Sequence, residues 1–441
     1  MTVKIRDMQL KSWIKWLALT IILATGLQQA VGQAPERLKQ ARFLIDTLCA
    51  ESFAGRGYHA DGHMRAAKFL SQEMARAGLL PFPGRGGSYL QSFPVQPRRI
   101  DSLSLIIGKH NFVAGTELLP ALGSADGKGT FATLDLGYGL PPYPNVKGKA
   151  VYFRETLPAS FTAEQKAVLG PYLKSRDRAD SLIARGAEAV IIQKEKLTHG
   201  FAPQNLARPV VEVLAPAGFQ PKGKTRISVQ FSNPFLQSAN VLGYIKGSQY
   251  PDSFLVVTAH YDHLGMAGKS WFPGANDNAS GVALLLAMAK HFSQPENQPR
   301  RSMAFILFGG EEAGLLGSAY FVSRDPVVPL SQISFLLNLD LMGNGSDGIM
   351  AVAGTDFPRQ FKLLQSAHDE EPAFPVIRSR ANAPNSDHYF FVKAGVPGFF
   401  IYTMGGPPHY HNVPDNAENL LLSHFEALFQ LLNRFLGKID Q

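Results

Sequence analysis

The chain has 441 residues, of which 45% are hydrophobic and 18% charged, so it is long and apolar enough for about two or three folded domains and does not have the composition of a disordered chain. The formal net charge of +8 comes from scattered residues rather than from a basic run with aromatic residues, so we expect no binding to nucleic acid. Cys49 is the single cysteine, so any bound metal must be held by His, Asp and Glu side chains.

The N-terminal segment has the pattern of a secretory signal peptide. Lys11 and Lys15 precede an apolar run over residues 16–27, and residues 30–32 have the small-x-small pattern of a cleavage site. The apolar run is shorter than the ~20 residues that a membrane-spanning helix needs. We therefore predict a signal peptide at residues 1–32, export to the periplasm or the extracellular space, and no stable membrane association after cleavage. An uncleaved anchor is the alternative.

Residues 33–98 contain two stretches with apolar residues at helical spacing, one ending at Leu48 and the other running from Met64 to Leu80. Between these stretches lies the glycine-broken segment Phe53-Ala-Gly-Arg-Gly57. We predict that this part of the chain is helical.

Residues 99–236 have a different pattern. Short apolar runs such as Ala150–Phe153 lie between turn signals, and a helix-like stretch at Ser175–Arg185 is followed by a glycine and a strand-like run. No cluster of nucleophilic or metal-ligating residue types occurs in this block. The pattern predicts a separate, mostly β domain inserted into the chain.

Residues 237–441 alternate between strand and helix patterns, which predicts an α/β sheet with helices on its faces. Four apolar runs are typical of buried strands: Phe254–Ala259, Met303–Phe308, Phe335–Leu339 and Gly398–Ile401. A strongly amphipathic stretch, Asn419–Leu436, predicts a terminal helix that ends at Gly437.

Acidic and histidine side chains follow each of these four predicted strands. They are His260 and Asp262 after the first, Asp277 at the start of the next helix, Glu311 and Glu312 after the second, Asp340 after the third, and His409 and His411 after the fourth. Ligands bind at the carboxyl ends of strands in open α/β sheets, so these side chains predict a metal site at one edge. Imidazole and carboxylate ligands without thiolate suit zinc, cobalt or manganese.

The number of ligands indicates two metal ions. Two imidazoles are too few for a single three-histidine site, whereas two ions that share one bridging carboxylate would each receive one imidazole and one further carboxylate. The adjacent Glu311 and Glu312 suggest that one of them binds metal and the other acts as a general base.

From Phe53-Ala-Gly-Arg-Gly57 to His411, the sequence closely resembles the secreted di-zinc aminopeptidases of metallopeptidase family twenty-eight. This resemblance implies a mixed-sheet zinc exopeptidase core, of the aminopeptidase/phosphorylase-like fold class, with helices on both faces. Residues 33–98 would be the N-terminal helical part of that core and residues 237–441 its catalytic domain. The block at 99–236 resembles the smaller, mostly β protease-associated domain that many members carry.

The resemblance also implies two Zn²⁺ ions per chain and assigns their ligands. His260 and Asp340 would hold one ion, Glu312 and His411 the other, and Asp277 would bridge them. The family has a cis peptide bond after the bridging aspartate, which corresponds here to Asp277-Asn278.

Three further residues match catalytic positions of the family. Glu311 matches the general base that takes a proton from a zinc-bridged water, and Asp262 matches the acid that orients the first histidine. Tyr410 matches a hydroxyl that stabilises the oxyanion in some members, with a packed aromatic residue as the alternative. The implied function is a secreted zinc aminopeptidase that releases N-terminal residues from peptides with a free N-terminus.

Other functions are known on the same scaffold. A glutaminyl cyclase uses one zinc ion, and a glutamate carboxypeptidase-like enzyme acts on acidic dipeptides. A catalytically inactive, receptor-like protein is a further alternative, since a fold does not guarantee activity. Such a protein would be expected to have lost metal ligands or the general base, whereas the five matched ligands and the matched base are all present here.

Several nearby residues are expected outside the ligand set. His263 is interpreted as lying behind a ligand or exposed, and His411 is favoured over His409 because Asp415 follows it four residues later. Ser386-Asp387-His388 does not predict a catalytic triad, although His388 is a candidate for contact with substrate. Cys49 is expected to be a buried apolar residue.

Overall fold

The computed structural model describes residues 35–156, 160–168 and 174–441. Its strands are β1 (Leu90–Val95), β2 (Arg99–Ile107), β3 (His110–Phe112), β4 (Leu118–Pro120), β5 (Gly127–Asp135), β6 (Lys149–Arg154), β7 (Ala189–Gln193), β8 (Val210–Val213), β9 (Lys224–Ser232), β10 (Leu236–Ile245), β11 (Tyr250–His260), β12 (Met266–Ala267), β13 (Ser270–Trp271), β14 (Arg301–Phe308), β15 (Ile333–Leu339), β16 (Gly348–Val352), β17 (Ile377–Arg380) and β18 (Gly398–Met404). Its helices are α1 (35–49), α2 (Gly62–Arg76), α3 (Ala163–Val168), α4 (Ser175–Ala184), α5 (Ser280–Phe292), α6 (Leu316–Ser323), α7 (Pro358–Asp369), α8 (His388–Lys393) and α9 (Phe425–Ile439).

Eight strands form the larger sheet in the order β1-β10-β14-β11-β15-β18-β16-β17. The central strands β14, β11, β15 and β18 are parallel, whereas β10 and β16 pair with them in the antiparallel direction. Each central strand contains one of the four apolar runs, so the prediction of four buried strands is confirmed. Because these strands are parallel, the residues that follow them lie at the same edge of the sheet.

Alternate residues of the central strands pack on opposite faces of the larger sheet. On β11, Leu255 and Val257 join the apolar cluster that contains Leu285 of α5. Val256 instead joins the cluster on the other face, which contains Phe321 of α6 and Phe391 of α8. Successive side chains of a strand point to opposite faces of its sheet, and here the side chains on both faces are buried. The central strands are therefore covered on both sides. The predicted fold class, a mixed sheet with helices on both faces, is confirmed.

Helices α1 and α2 belong to the larger sheet. Leu48 of α1 and Met74 of α2 lie in the same apolar cluster as α5, and β1 pairs with β10 at the edge of the sheet. The N-terminal part of the chain therefore packs with the sheet that carries the predicted site, although residues 99–232 separate the two in sequence.

The second sheet has the strand order β3-β2-β9-β5-β6-β7-β8-β4. It has its own apolar clusters on its two faces, with Tyr152 in one and Phe153 in the other. Leu182 of α4 covers the second of these faces. The interpretation of this segment as a protease-associated domain stays a prediction.

Three predicted helix boundaries are wrong. α9 begins at Phe425 rather than Asn419, because Leu422 has a φ of 53°, which is incompatible with a continuous helix. It also continues past the exposed Gly437 to Ile439. α2 ends at Arg76 rather than Leu80, because Gly78 has a φ of 84°.

The predicted signal peptide at residues 1–32 lies outside the described residues. Within the described ranges, none of the helices combines the length and the apolar character that crossing a membrane requires.

Candidate metal centre

One half of the centre lies where β11 and β15 end. His260 is the last residue of β11, Asp340 follows β15, and Asp277 lies just before α5. His260 Nε2 lies 3.2 Å from Asp277 Oδ1 and 3.4 Å from Asp340 Oδ1, and all three residues are buried. These three side chains offer ligand atoms that all lie within 4.8 Å of one another, which suits a single ion.

The other half of the centre uses the second oxygen of Asp277. His411 Nε2 lies 3.0 Å from Asp277 Oδ2 and 3.3 Å from Glu312 Oε2. Asp277 thus faces His260 with one carboxylate oxygen and His411 with the other. The structure brings together all five residues predicted as ligands, and the peptide bond between Asp277 and Asn278 is cis.

His263 also lies in the second half of the centre. It is fully buried, which excludes the expected exposed position, and its Nδ1 lies 2.8 Å from Glu312 Oε1. With Asp277 and Glu312 it forms a second group of three possible ligands. The sequence did not predict this arrangement, because the resemblance assigns the ligand and the orienting acid after β11 to His260 and Asp262 and leaves His263 without a role.

The donor set fits a metal ion on chemical grounds. Asp340 Oδ1 and Glu312 Oε1 are buried and accept no hydrogen bond of good geometry, although a histidine nitrogen lies 3.4 Å from the first and 2.8 Å from the second. Among the described residues, the ion pairs of Asp277, Glu312 and Asp340 are with histidines alone. Several carboxylates buried together without Lys or Arg are strongly unfavourable unless a cation compensates them.

The pKa shifts of Glu311 and His411 also indicate a centre with an excess of negative charge. Burial raises the pKa of Glu311 well above its usual value, and the neighbouring Glu312 carboxylate raises it further although His260 opposes the shift. Burial lowers the pKa of His411, but Glu312 and Asp277 outweigh that effect and raise it to about 11. The histidine therefore compensates negative charge that a metal ion would otherwise balance.

Main-chain carbonyls orient the two predicted histidine ligands. The Nδ1 atom of His260 lies 3.2 Å from the carbonyl oxygen of Asp262, whereas the carboxylate of Asp262 is 3.9 Å away. That carboxylate instead accepts a hydrogen bond from the backbone N–H of Glu311 at 3.1 Å. Asp262 is therefore placed to hold both His260 and the predicted base, and burial raises its own pKa to about 7.

The second sheet contributes to the centre, which the sequence analysis missed. His411 Nδ1 lies 3.0 Å from the carbonyl oxygen of His199, and the N–H of His199 donates to the carbonyl oxygen of His411 at 2.8 Å. Lys196 Nζ also donates to the carbonyl oxygen of Pro408. No sequence signal could have found these contacts, because the acceptor in each of them is a main-chain carbonyl, which every residue has.

A buried hydrogen-bond chain supports Asp340 from inside the sheet. Ser386 Oγ donates to Asp340 Oδ2 at 2.9 Å, and Asn338 Nδ2 donates to Ser386 Oγ at 2.8 Å. Thr258 Oγ1 in turn donates to Asn338 Oδ1 at 2.6 Å. The hydroxyl of Ser386 is therefore engaged with a predicted ligand and does not act as a nucleophile. The neighbouring His388 is fully buried, so it offers no surface for the expected contact with substrate.

We expect Ser386→Ala to weaken zinc binding by about 10-fold, because groups that orient a ligand usually contribute 10–100-fold to metal affinity. The variant leaves one oxygen of Asp340 without its donor and Asn338 without its acceptor. Competition with a chromophoric chelator measures this affinity. Ser253→Ala is the control, since the hydroxyl of Ser253 bonds that of Ser334 at an exposed site away from the centre. An unchanged affinity would contradict the orienting role of Ser386.

A cavity of about 730 Å³ opens onto the centre. Glu312, Tyr410 and His411 line one side, and the second sheet and its loops line the other. Pockets of roughly 300–1,000 Å³ are typical of sites for small ligands. Tyr410 is 47% exposed and its ring stacks on His411 at 3.8 Å, so it is not a packed core aromatic.

Known proteins resemble the chain over this region. Residues 240–436 match Peptidase family M28. Aminopeptidase YwaD of Bacillus subtilis (strain 168) is 29% identical over 282 residues, which are 59% of this chain and 60% of YwaD. A glutamate carboxypeptidase 2 homolog of Caenorhabditis elegans is 32% identical over 201 residues, which are 44% of this chain and 24% of that protein. The chain thus spans less than two thirds of the length of these relatives.

The fold is also that of a solved structure. BSAP, a zinc aminopeptidase from Bacillus subtilis, superposes with a TM-score of 0.68 over 91% of this chain and 94% of its own, at 22% identity. The central parallel strands, the acidic and histidine residues at their ends and the sequence match together identify residues 240–436 as a region of peptidase family M28.

Proposed function

We propose that the chain is an exported, zinc-dependent aminopeptidase that releases N-terminal residues from peptides. The observation that carries the proposal is the position of Asp277, whose two carboxylate oxygens face His260 on one side and His411 on the other. That arrangement suits two ions that share one ligand, with Glu311 beside them as a carboxylate outside the ligand set. The match of residues 240–436 to Peptidase family M28 supports a peptidase reaction.

Two zinc ions would be held by the five predicted ligands. His260 and Asp340 would hold the first, Glu312 and His411 the second, and Asp277 both; His263 is a further candidate for the second. Bound zinc lowers the pKa of water and polarises a peptide carbonyl.

Glu311 is the residue that would move the proton. Its backbone N–H is held by the Asp262 carboxylate, which fixes its position beside the ligands. Burial and the Glu312 carboxylate raise the pKa of Glu311 in the metal-free chain, so its carboxylate is a stronger base than a free glutamate once bound cations have ionised it. It accepts the proton of the attacking water and returns it to the amine that leaves when the peptide bond breaks.

Tyr410 would stabilise the oxyanion. We expect Tyr410→Phe to lower kcat by about 10²–10³-fold with little change in zinc content, which is the usual cost of losing one such donor. The phenyl ring keeps the stacking on His411, so only the hydroxyl is removed. Steady-state kinetics on an amino-acid anilide measures the effect, and an unchanged kcat would assign Tyr410 to packing.

The substrate would lie in the cavity between the metal centre and the second sheet. The cavity wall formed by the second sheet combines apolar side chains such as Ile192 and Val210 with the ion pair of Lys194 and Glu155. A peptide can place both its side chains and its polar backbone against such a wall. The protease-associated interpretation of this segment agrees with a role in shaping the site.

A panel of substrates tests the proposal. We expect hydrolysis of an amino-acid anilide with a free amine and none of the same anilide after N-acetylation. Cleavage of an N-acetylated acidic dipeptide would favour carboxypeptidase action, and cyclisation of a peptide with an N-terminal glutamine would favour a glutaminyl cyclase. Zinc-loaded, folded protein that turns over none of these would favour a receptor-like protein.

A further inference from the structure

The arginine of the Phe53-Ala-Gly-Arg-Gly57 segment is fully buried and has no part in the reaction described above. Its guanidinium donates to main-chain carbonyl oxygens, with Nε on Tyr261 at 2.7 Å, Nη1 on Leu48 at 3.0 Å and Pro273 at 2.5 Å, and Nη2 on Gly274 at 2.8 Å and Asp277 at 3.5 Å. A buried guanidinium is unfavourable unless its donors are satisfied. Apart from the bond to Leu48, Arg56 satisfies them on the segment that leads from His260 to Asp277.

The backbone of the segment is shaped to bring Arg56 to that position. Ala54, Gly55 and Arg56 have φ values of 47°, 62° and 49°. These values lie in the left-handed region, which residues other than glycine rarely adopt. A Cβ on Gly55 would lie 2.4 Å from the carbonyl oxygen of Gly265, and one on Gly57 would lie 2.4 Å from Gly265 Cα. Both glycines thus allow direct backbone contact with the 261–277 segment.

A buried carboxylate holds the other side of Asp277. Asp415 Oδ1 accepts the N–H of Asn276 at 2.8 Å, and its Oδ2 accepts the N–H of Asp277 at 3.1 Å. Its carbonyl oxygen also accepts the N–H of Ala275. Asp415 is 3% exposed and follows His411 by four residues. Its hydrogen bonds therefore connect the backbone of Asp277 to the short segment that carries the second predicted histidine ligand.

We infer that Arg56 and Asp415 are positioning residues that form a clamp on the backbone of Asp277. Arg56 holds main-chain carbonyls of residues 273–277 and Asp415 holds the amides of residues 275–277, so the Asp277 carboxylate is fixed between His260 and His411. Neither residue touches the reacting atoms. The inference rests on the proposed function in one respect, namely that Asp277 is the shared metal ligand.

The test uses Arg56→Gln and Asp415→Asn in the full chain, with Arg178→Gln as the matched control. Arg178 is also fully buried and donates to main-chain carbonyls, those of Tyr138, Arg154 and Glu155, but in the second sheet. Zinc affinity is measured by competition with a chromophoric chelator, coordination geometry by the visible absorption of cobalt-loaded protein, and stability by the Tm of the metal-free protein.

We expect Arg56→Gln and Asp415→Asn to weaken zinc binding by roughly 10-fold or more and to change the cobalt spectrum, as for other groups that hold metal ligands. Arg178→Gln should lower the Tm and leave both metal readouts unchanged. If Arg56→Gln does not fold, Arg56→Lys replaces it, since it keeps the charge and loses the forked geometry that reaches several carbonyls.

Wild-type zinc affinity and an unchanged cobalt spectrum in folded clamp variants would overturn the inference, even with a lower Tm. Failure of the proposed function has a different signature. Wild-type protein would then bind zinc without cleaving any substrate of the panel, and the effect of the clamp variants on metal affinity would still be measured.

Discussion

Glu311→Gln should lower kcat by about 10²–10⁴-fold while zinc content and KM stay close to wild type. Glutamine has nearly the same shape, so the backbone hydrogen bond from residue 311 to Asp262 is retained. The amide cannot accept the proton of the attacking water or return it to the leaving amine. Steady-state kinetics on an amino-acid anilide, with elemental analysis of the same sample, measures the effect.

Glu312→Gln is the matched control for this prediction. The two residues are neighbours in the chain, but Glu312 is a predicted metal ligand and contacts His263 and His411. We expect Glu312→Gln to lower zinc content as well as activity. If Glu311→Gln loses zinc, or if it keeps wild-type kcat, Glu311 is not the general base. Loss of activity with zinc retained separates proton transfer from metal binding.

The fold and the centre of the site could be predicted because both depend on strands. The four buried strands are apolar runs bounded by glycine and polar residues, and β11 and β14 lie in the sheet as their apolar patterns predict. Parallel strands end at one edge, so the residue after each strand is constrained by the sheet itself. The proximity of His260 and Asp340 follows from that constraint, and Asp277 joins them from the turn before α5.

The surroundings of the ligands could not be predicted in the same way. His199 approaches His411 through main-chain atoms from a different sheet, and the hydroxyl of Ser386 joins Asp340 from a loop 46 residues away in the chain. Such contacts depend on how loops pack and leave no periodic pattern. The position of Arg56 could be predicted in part. The glycines on either side of it indicate that two stretches of backbone approach closely, but they do not identify the stretch that Arg56 contacts.

Removal of metal should abolish activity and also lower the stability of the chain. Without an ion, Asp277, Glu312 and Asp340 are buried acidic groups with histidines as their nearest compensating charges. An ion that binds only the folded state stabilises it by RT ln(1 + [L]/Kd), about 4 kcal/mol at a concentration 1,000 times Kd. Thermal unfolding of chelated protein, followed with increasing zinc, measures this shift in Tm.

Calcium is the control ion, because it prefers oxygen ligands whereas this centre offers imidazole nitrogens as well. We expect zinc to raise the Tm and restore activity together, and calcium at the same concentration to do neither. A Tm that does not respond to zinc would mean that the buried carboxylates are protonated or paired well enough to need no ion, which would contradict the metal centre itself. A Tm that rises with zinc without recovery of activity would support the metal centre. It would contradict the catalytic roles of Glu311 and Tyr410 or the choice of substrate.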